Sequence, residues 1–202
     1  MFKKAIDTAQ PIHDLLASRW SGRAFDPTRP VERGKLTAML EAARWAPSCY
    51  GDQPWRFIVW EKARDEAGWR RALDCLAAGN KPWARQAPLL MLACADSVLT
   101  HDGSPNRWGQ YDTGAAAISL ALQAAAQGLM VHQMGGFDSD RARREFRIPD
   151  RYTPMAMIAA GYQLPEHAIP AELREREYAP RARRPLTEIF FQSTWGRGIH
   201  VS

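Results

Sequence analysis

Apolar residues recur at helical spacing in several stretches of this chain. Between Pro30 and Pro47 they return every three or four positions, a pattern that predicts a helix ending where proline interrupts it. Residues 112–127 are apolar almost all round and rich in alanine, so this helix must be covered on most sides by the core or by a partner subunit. Shorter helices are predicted over 11–19, 61–76 and 139–146.

Other stretches predict strands, and their order among the helices indicates an α+β fold. Residues 55–60 are rich in aromatic and β-branched side chains, which favours a strand. Residues 88–95 form a continuous apolar run, typical of a strand buried on both faces. Two further strands are predicted over 129–137 and 155–162. We expect these strands to form one sheet with helices on both faces.

Two polar stretches interrupt this pattern. Residues 97–110 predict an exposed excursion, of a length often found in lids and binding loops. Residues 165–185 are rich in proline and arginine and follow elements that already complete a domain, which suggests a tail lying across another subunit. Neither an internal repeat nor a linker divides the chain, so we predict a single domain over 1–202.

The composition is that of a globular protein with a basic surface. The 202 residues are 46% hydrophobic and 24% charged, with a formal net charge of +5. A basic balance suits nucleic acid, a membrane surface or a phosphorylated small molecule. The densest arginine cluster, 174–184, contains acidic residues as well, and it is equally compatible with a solvated surface.

Motifs of several functional classes are missing from the sequence. The three cysteines form no C-x-x-C pair and the five histidines are dispersed, which argues against a zinc site and for a reducing, cytoplasmic compartment. The longest apolar run has nine residues, far short of the roughly 20 that span a bilayer, and the N-terminal lysines precede no apolar segment of a secretory signal. Without G-x-S-x-G, G-x-G-x-x-G or Walker motifs, a cofactor is expected to carry any chemistry.

Four segments stand out, in order, along the chain. Residues 19–25 read RWSGRAF and residues 46–55 read APSCYGDQPW. Residues 112–138 run from DTGAA to MGGFD, and residues 181–189 read RARRPLTEI. In this order they resemble the R-x-S-x-R-x-F opening, the P-S-S-x-N-x-Q-P-W loop, the central helix and the basic tail of the nitroreductase family of flavoenzymes. The resemblance implies a three-layer α/β/α fold with one mostly antiparallel sheet, and a homodimer whose C-terminal tail extends over the partner subunit.

The resemblance also implies FMN as the cofactor and assigns its phosphate to arginines. Arg19 and the Ser21 hydroxyl come first, and Arg181 and Arg183 reach the same phosphate from the tail. The phosphate carries about −1.5 to −2 charges, which guanidinium groups bind bidentately. Arg23 is implied at the other end of the flavin, where a fixed cation near N1 and the C2 carbonyl favours the reduced ring.

Main-chain groups are implied around the flavin ring, which is expected at the dimer interface. Gly135 and Gly136 would let the backbone approach N5 closely. The 47–51 loop would be donated by the other subunit, and its Gly51 stands where the family commonly has asparagine. The cofactor-binding set is completed by Trp20, Pro47, Ser48, Cys49, Gln133 and Met134.

The implied activity is an NAD(P)H oxidoreductase with a ping-pong cycle. NAD(P)H would give a hydride to flavin N5 as a transient reductant, and a small electron-poor acceptor such as a nitroaromatic or a quinone would then be reduced. No catalytic side chain is assigned, and neither a nucleic acid nor a membrane partner is expected. Trp108 and Tyr111 are candidate walls of the acceptor pocket, or else core or interface aromatics.

Alternative functions remain open from the sequence. The same scaffold suits enoate reduction, dehalogenation, flavin destruction or dehydrogenation of a natural product. Outside the flavoenzymes, a basic RNA- or nucleotide-binding module could use the arginine cluster at 174–184. A yellow protein that bleaches with NADH or NADPH in the absence of oxygen would separate the flavoenzymes from the binding module.

Overall fold

One antiparallel sheet organises the computed structural model, which describes residues 4–199. Its strands are β1 (Trp55–Glu61), β2 (Leu89–Asp96), β3 (Met130–Met134) and β4 (Tyr152–Gly161). Their spatial order is β1-β2-β4-β3, and every neighbouring pair is antiparallel. Strand β3 therefore lies at one edge of the sheet, beside β4.

Helices cover both faces of this sheet. They are α1 (Asp14–Ser18), α2 (Arg33–Arg44), α3 (Glu66–Asp74), α4 (Lys81–Ala84), α5 (Gly109–Ala126), α6 (Ser139–Phe146), α7 (Ala171–Tyr178) and α8 (Leu186–Ile189). Helices α2 and α5 pack on one face, and α3, α4 and α6 pack on the other. This arrangement confirms the α+β class and the three layers that the resemblance implies.

Strand β2 lies at the centre of the core, and all eight of its residues are buried. Successive side chains point to opposite faces of a strand. Leu90, Leu92 and Cys94 therefore join the apolar cluster with α3 and α4, while their neighbours join the cluster with α2 and α5. The continuous apolar run is thus confirmed as a strand buried on both faces.

Helix α5 is covered by the rest of the described chain along one side only. The buried side consists of small and apolar residues: Ala116, Ala117, Leu120, Ala121 and Ala124. The opposite side leaves Tyr111 78% exposed and Ile118 40% exposed, with the exposed Gly114 between them. The core therefore covers one side of this helix, and the other side, which the apolar sequence predicts to be covered as well, is exposed.

Several predicted boundaries differ from the structure, and two of them have a clear local reason. The helix predicted from residue 61 begins at Glu66, because the Asp65 side chain accepts the Gly68 N–H at 2.8 Å and caps the first turn there. The strand predicted from residue 155 begins at Tyr152. It includes Pro154, which lies at a register shift in the β2–β4 pairing, where a residue without an N–H group is tolerated.

The periodicity of the sequence does not predict α4 or α7. Helix α7 lies inside the stretch expected to be a tail, and its sequence AELREREY is mostly charged. Such a helix has no apolar stripe from which its period could be recognised. Among residues 4–199, no helix is both long enough and apolar enough to cross a membrane.

Candidate functional site

The segment 19–25 leaves α1 and runs beside the β3–β4 edge of the sheet. Phe25 forms a β-bridge with Gln163, and the Gly22 carbonyl lies 3.0 Å from Nδ1 of His132 on β3. A Cβ atom on Gly22 would lie 2.3 Å from the Met130 sulfur, so only glycine permits this approach. The exposed Ser21 and the half-buried Arg19 and Arg23 thus lie along one edge of the sheet.

Arginines from the two ends of the chain meet at this edge. Nη1 of Arg181 donates to the Arg19 carbonyl at 2.8 Å. Burial lowers the pKa of Arg19, and the charge of Arg183 lowers this pKa further. No acidic side chain within the described residues pairs with any of these three arginines. This arginine cluster (Arg19, Arg181 and Arg183) is an unneutralised positive site suited to an anion.

Arg181 differs from the other two arginines in its partners. Besides the Arg19 carbonyl, its guanidinium donates to the carbonyls of Lys4 and Ala17. Burial lowers its pKa, and so do the charges of Arg19 and Arg183. Both terminal nitrogens of Arg181 are therefore used in holding the tail. Nη1 of Arg183 donates to the Ala182 carbonyl at 2.7 Å, so Arg19 and the remaining donors of Arg183 are the groups of the cluster that can meet a ligand.

Arg23 lies against an aromatic wall at the far end of the segment. Its guanidinium carbon is 5.7 Å from the centre of the Trp83 ring, and both residues line a cavity of about 290 Å³ that also includes Arg176. Burial lowers the pKa of Arg23, as does the charge of Arg176, while Glu177 raises it. The Arg23 Nε has no hydrogen-bond partner within the described residues, so its N–H group can donate to a ligand.

The predicted strand over 129–137 ends at Met134, and Gly135 and Gly136 lie just beyond β3. The Gly136 carbonyl accepts the Ala77 N–H and the Asn80 side-chain amide, both at 3.0 Å. The N–H groups of both glycines donate to no other group within residues 4–199. Both glycines are exposed, so their N–H groups can meet a ligand directly. Gln133 is exposed as well, whereas the Met134 side chain is buried in the core, where only its backbone could contact a cofactor.

The 47–51 loop is an exposed turn with unusual backbone angles. Tyr50 and Gly51 have φ values of 56° and 65°, in the left-handed region that suits glycine and asparagine. The Cys49 N–H donates to Asp112 Oδ2 at 3.0 Å, and the Ser48 hydroxyl accepts the Gln53 N–H at 3.0 Å. Pro47 and Gly51 are exposed, while Ser48 and Cys49 are half-buried.

The aromatic candidates lie in different environments. Trp20 is 5% exposed, with the Lys4 ammonium 4.5 Å from its ring centre, so any contact it makes with a cofactor would involve its backbone. Trp108 is 40% exposed at the start of α5. Helix α5 begins at Gly109, three residues before the predicted start at 112, so Tyr111 belongs to its first turn and is largely exposed. Neither Trp108 nor Tyr111 is a core aromatic.

Comparison with known proteins agrees with this geometry. Residues 16–162 match the sequence profile described as the nitroreductase family. The chain belongs to the nitroreductase family. It is therefore an oxidoreductase by family, and the matched range contains the 19–25 segment, the 47–51 loop and the glycine pair.

Individual relatives match most of the length of this chain. A solved structure described as an oxidoreductase containing FMN is 36% identical, with a TM-score of 0.85 over 94% of this chain and 95% of that one. A nitroreductase family protein from Clostridium difficile 630 is 28% identical, with a TM-score of 0.69 over 92% of this chain and 99% of that one. A Thermus thermophilus protein named NADH dehydrogenase is 29% identical, matching 83% of this chain and 97% of its own.

Two acidic residues that support the site are not predicted by the sequence patterns. Asp112 is buried and holds the 47–51 loop through the Cys49 N–H. Glu177 is buried and accepts the Arg23 N–H at 2.7 Å. The only signal for Asp112 is its acidic side chain at the start of a predicted helix, and Glu177 is one of several acids in a charged stretch. Their contacts join segments far apart in sequence, which periodicity does not detect.

Proposed function

We propose that this member of the nitroreductase family binds FMN at a dimer interface and transfers reducing equivalents from NAD(P)H to a small electron-poor acceptor. The arginine cluster is the observation that carries the proposal. Like charges repel, so guanidinium groups gathered without an acidic partner imply an anion that completes the site. The FMN phosphate, with about −1.5 to −2 charges, has the right chemistry.

The residues around the cluster fit a phosphate group. Arg19 and Arg183 would contact it directly, and the exposed Ser21 hydroxyl would donate a further hydrogen bond. Arg181 would contribute positive charge without a direct contact through its terminal nitrogens, because these are bonded to backbone carbonyls. Arg183 is the tail arginine whose charge acts on Arg19.

The residues further along the segment and beyond β3 fit the flavin ring. When bound, FMN would supply the group that accepts and returns a hydride. Arg23 offers a partly desolvated cation with an unpaired Nε, which would stabilise negative charge on a neighbouring ring. The free N–H groups of Gly135 and Gly136 offer donors to the ring edge, and a side chain at Gly135 would meet nothing within 4 Å.

A second copy of the chain is proposed to cover the exposed side of α5. Gly114 and Ile118, four positions apart, are both uncovered there. The exposed 47–51 loop, held to α5 by Asp112, would then reach the flavin of the partner subunit. Light scattering should give a mass near twice 22.7 kDa, and Ile118→Arg should lower it. A flavin-loaded monomer would contradict an interface site.

The proposed acceptors are nitroaromatics and quinones, which suit an aromatic-lined entrance. Trp108 and Tyr111 are both accessible and precede Asp112, whose side chain is bonded to the 47–51 loop. Aromatic rings of this kind stack on flat electron-poor molecules. If they form the acceptor site, Tyr111→Ala should raise the KM for the acceptor and leave the anaerobic rate of flavin reduction by NAD(P)H unchanged. The opposite pattern would remove Tyr111 from that role.

The cofactor claim is tested by reconstitution. The purified chain should take up about one FMN per protomer, turn yellow, and bleach with NADH or NADPH in the absence of oxygen. A colourless protein that does not take up FMN, yet binds RNA with a steep salt dependence, would overturn the proposal.

The phosphate site is tested with a matched pair of tail variants. Arg183→Ala should weaken FMN by about tenfold or more, the loss expected for a charge-assisted contact, and should leave riboflavin affinity nearly unchanged. Arg184→Ala removes the same charge one residue along, at an exposed position, and should have little effect. Equal losses in both variants would indicate general electrostatics and not a built phosphate site.

The role of Arg23 is tested by the reduction potential of the bound flavin. Arg23→Ala should lower this potential, because a cation beside the ring favours its reduced, more negative form. Arg184→Ala again serves as the charge-matched control. An unchanged potential at full flavin occupancy would remove Arg23 from the site.

A further inference from the structure

Helix α7 is held against the site by one buried acid. Glu177 is completely buried, and it is the one buried residue of this helix. Its neighbours Arg176 and Tyr178 are exposed. Apart from the half-buried Leu173, which packs against the core, this helix has no apolar stripe, so the polar contact of Glu177 contributes strongly to how α7 docks.

The Glu177 carboxylate is bonded to the backbone of the 19–25 segment. Its Oε1 accepts the Arg23 N–H at 2.7 Å, across 154 positions of sequence. A Cβ atom on Gly22 would lie 3.1 Å from Oε2, so the missing side chain of Gly22 leaves room for the carboxylate. Burial raises the pKa of Glu177, while the N–H groups of Arg23 and Ala24, the Gln163 side chain and the Lys4 charge lower it. Burying this acid is unfavourable in itself, and its contacts offset only part of that cost, because the pKa remains raised and Oε2 has no hydrogen-bond partner within the described residues.

Arg181, four residues further along, makes the complementary contact. Its guanidinium donates to the carbonyls of Ala17 and Arg19 at the C-terminal end of α1. A basic side chain is favourable at that end of a helix. The tail therefore docks on residues 17–24 at two points, an acid on a backbone N–H and a base on backbone carbonyls.

The two docking points bring the phosphate-binding arginines together. Arg183 follows Arg181 by two residues, and Arg19 and Arg23 lie on the segment that receives the docked tail. The arginines repel one another in the absence of an anion, so their proximity depends on the docking contacts. Without Glu177, the segment that carries Arg183 would lose its hydrogen bond to the Arg23 N–H, one of the contacts that hold it in place.

We propose that Glu177 is a positioning residue for FMN: its carboxylate fixes the C-terminal tail against the 19–25 segment and so places Arg183 beside Arg19. The proposal rests on the proposed FMN-dependent function. Glu177 touches neither the phosphate nor the ring. Its effect passes through the arginines and through the position of the Arg23 backbone.

The test compares the binding of FMN and riboflavin, which lacks the phosphate, to the flavin-free protein. Glu177→Ala should weaken FMN about ten- to a hundredfold, the range for losing a hydrogen bond to a charged group, and should weaken riboflavin less than about threefold. Glu177→Gln keeps an oxygen acceptor for the Arg23 N–H and should restore most of the FMN preference. Glu175→Ala, an exposed acid on the same helix, is the charge-matched control and should behave as the unmodified protein.

The outcomes separate positioning from a general loss of stability. A merely structural role would lower the melting temperature and leave the ratio of FMN to riboflavin affinity unchanged, and that result would overturn the proposal. Glu177→Gln as damaged as Glu177→Ala would overturn it too, because the acceptor would then be irrelevant. If Glu177→Ala does not fold, Glu177→Asp decides: it withdraws the carboxylate by one methylene, and a lowered affinity ratio supports the proposal, whereas an unchanged ratio overturns it.

These outcomes are distinct from those of the proposed function. An unmodified protein that binds neither flavin would overturn the FMN-dependent function itself. An unmodified protein that prefers FMN, with Glu177 variants that keep the same preference, would overturn only the positioning role.

Discussion

Replacing Asp112 by alanine should loosen the 47–51 loop and destabilise the protein. Asp112 is 4% exposed in the first turn of α5, and its Oδ2 accepts the Cys49 N–H at 3.0 Å. This bond holds a turn in which Tyr50 has a φ of 56°, a conformation that costs about 1–2 kcal/mol for a residue with a side chain. The loop therefore depends on an external contact to keep its shape.

The magnitude follows from two contributions. A hydrogen bond to a charged group contributes about 1.5–3 kcal/mol, and an acid in the first turn of a helix adds about 0.3–1 kcal/mol. Asp112→Ala should therefore lower the free energy of unfolding by about 2–4 kcal/mol. Asp112→Asn keeps an oxygen acceptor and should lose only about 1 kcal/mol.

Urea unfolding of the flavin-free protein, followed by circular dichroism at one fixed protein concentration, measures this loss. The control is Asp140→Ala, which removes an exposed acid from the first turn of α6 and should lose only about 0.3–1 kcal/mol. Asp112→Ala should also weaken FMN, and Asp140→Ala should not. If the two alanine variants lose the same stability, Asp112 does not hold the loop.

Three further predictions concern backbone space and a buried charge. Gly109→Ala would place a Cβ 2.2 Å from the Asp96 carbonyl oxygen and should lower stability by about 1–3 kcal/mol in thermal unfolding, whereas Gly34→Ala, with nothing within 4 Å, should not. Gly51→Asn should leave the melting temperature nearly unchanged, because asparagine tolerates the φ of 65°, while Gly51→Val should lower stability by about 1–2 kcal/mol. The pKa of Glu177 is raised by burial, so its protonation favours the folded state. That contribution is complete below the ordinary pKa of 4.5 and is lost as the pH rises through the raised value, so the unmodified protein should lose stability relative to Glu177→Gln as the pH rises above 4.5. A difference that does not change with pH would contradict a raised pKa.

Local pattern was sufficient for much of the fold. The apolar run of β2 predicted a strand buried on both faces, and helix α6 has the predicted bounds, Ser139–Phe146. It failed where an element is short or has no apolar face, as in α4 and α7. Local pattern also placed the start of β4 after Pro154, whereas the strand includes this proline. A proline is acceptable inside a strand where the pairing is irregular, and irregular pairing depends on the neighbouring strand.

Part of the candidate site could likewise be predicted from the sequence, and part could not. The resemblance named Arg19, Arg23, Arg183 and the glycine pair from short motifs, and the structure gives these residues accessible donors near one edge of the sheet. It also named Arg181 for the phosphate, but the guanidinium is bonded to backbone carbonyls. Its role in docking the tail could not be inferred from the motif, because arginine donates equally well to phosphate and to carbonyl oxygen.

Gly51 shows how sequence and structure complete one another. The sequence shows glycine where the family commonly has asparagine, which suggests a different flavin contact. The backbone there has a φ of 65°, and glycine and asparagine are the residues that adopt it most readily. The exchange thus preserves the turn, whatever it changes in side-chain chemistry.

By itself the sequence determined the layers of the fold, the family and the residue types of a phosphate and flavin site, because periodicity and short motifs are properties of neighbouring residues. Only the tertiary structure decided which distant residues hold that site in shape. Glu177 is bonded to Arg23 and Asp112 to Cys49, and each contact joins segments more than 60 positions apart. Contacts between residues so far apart in sequence depend on the tertiary fold, and local sequence patterns do not predict them.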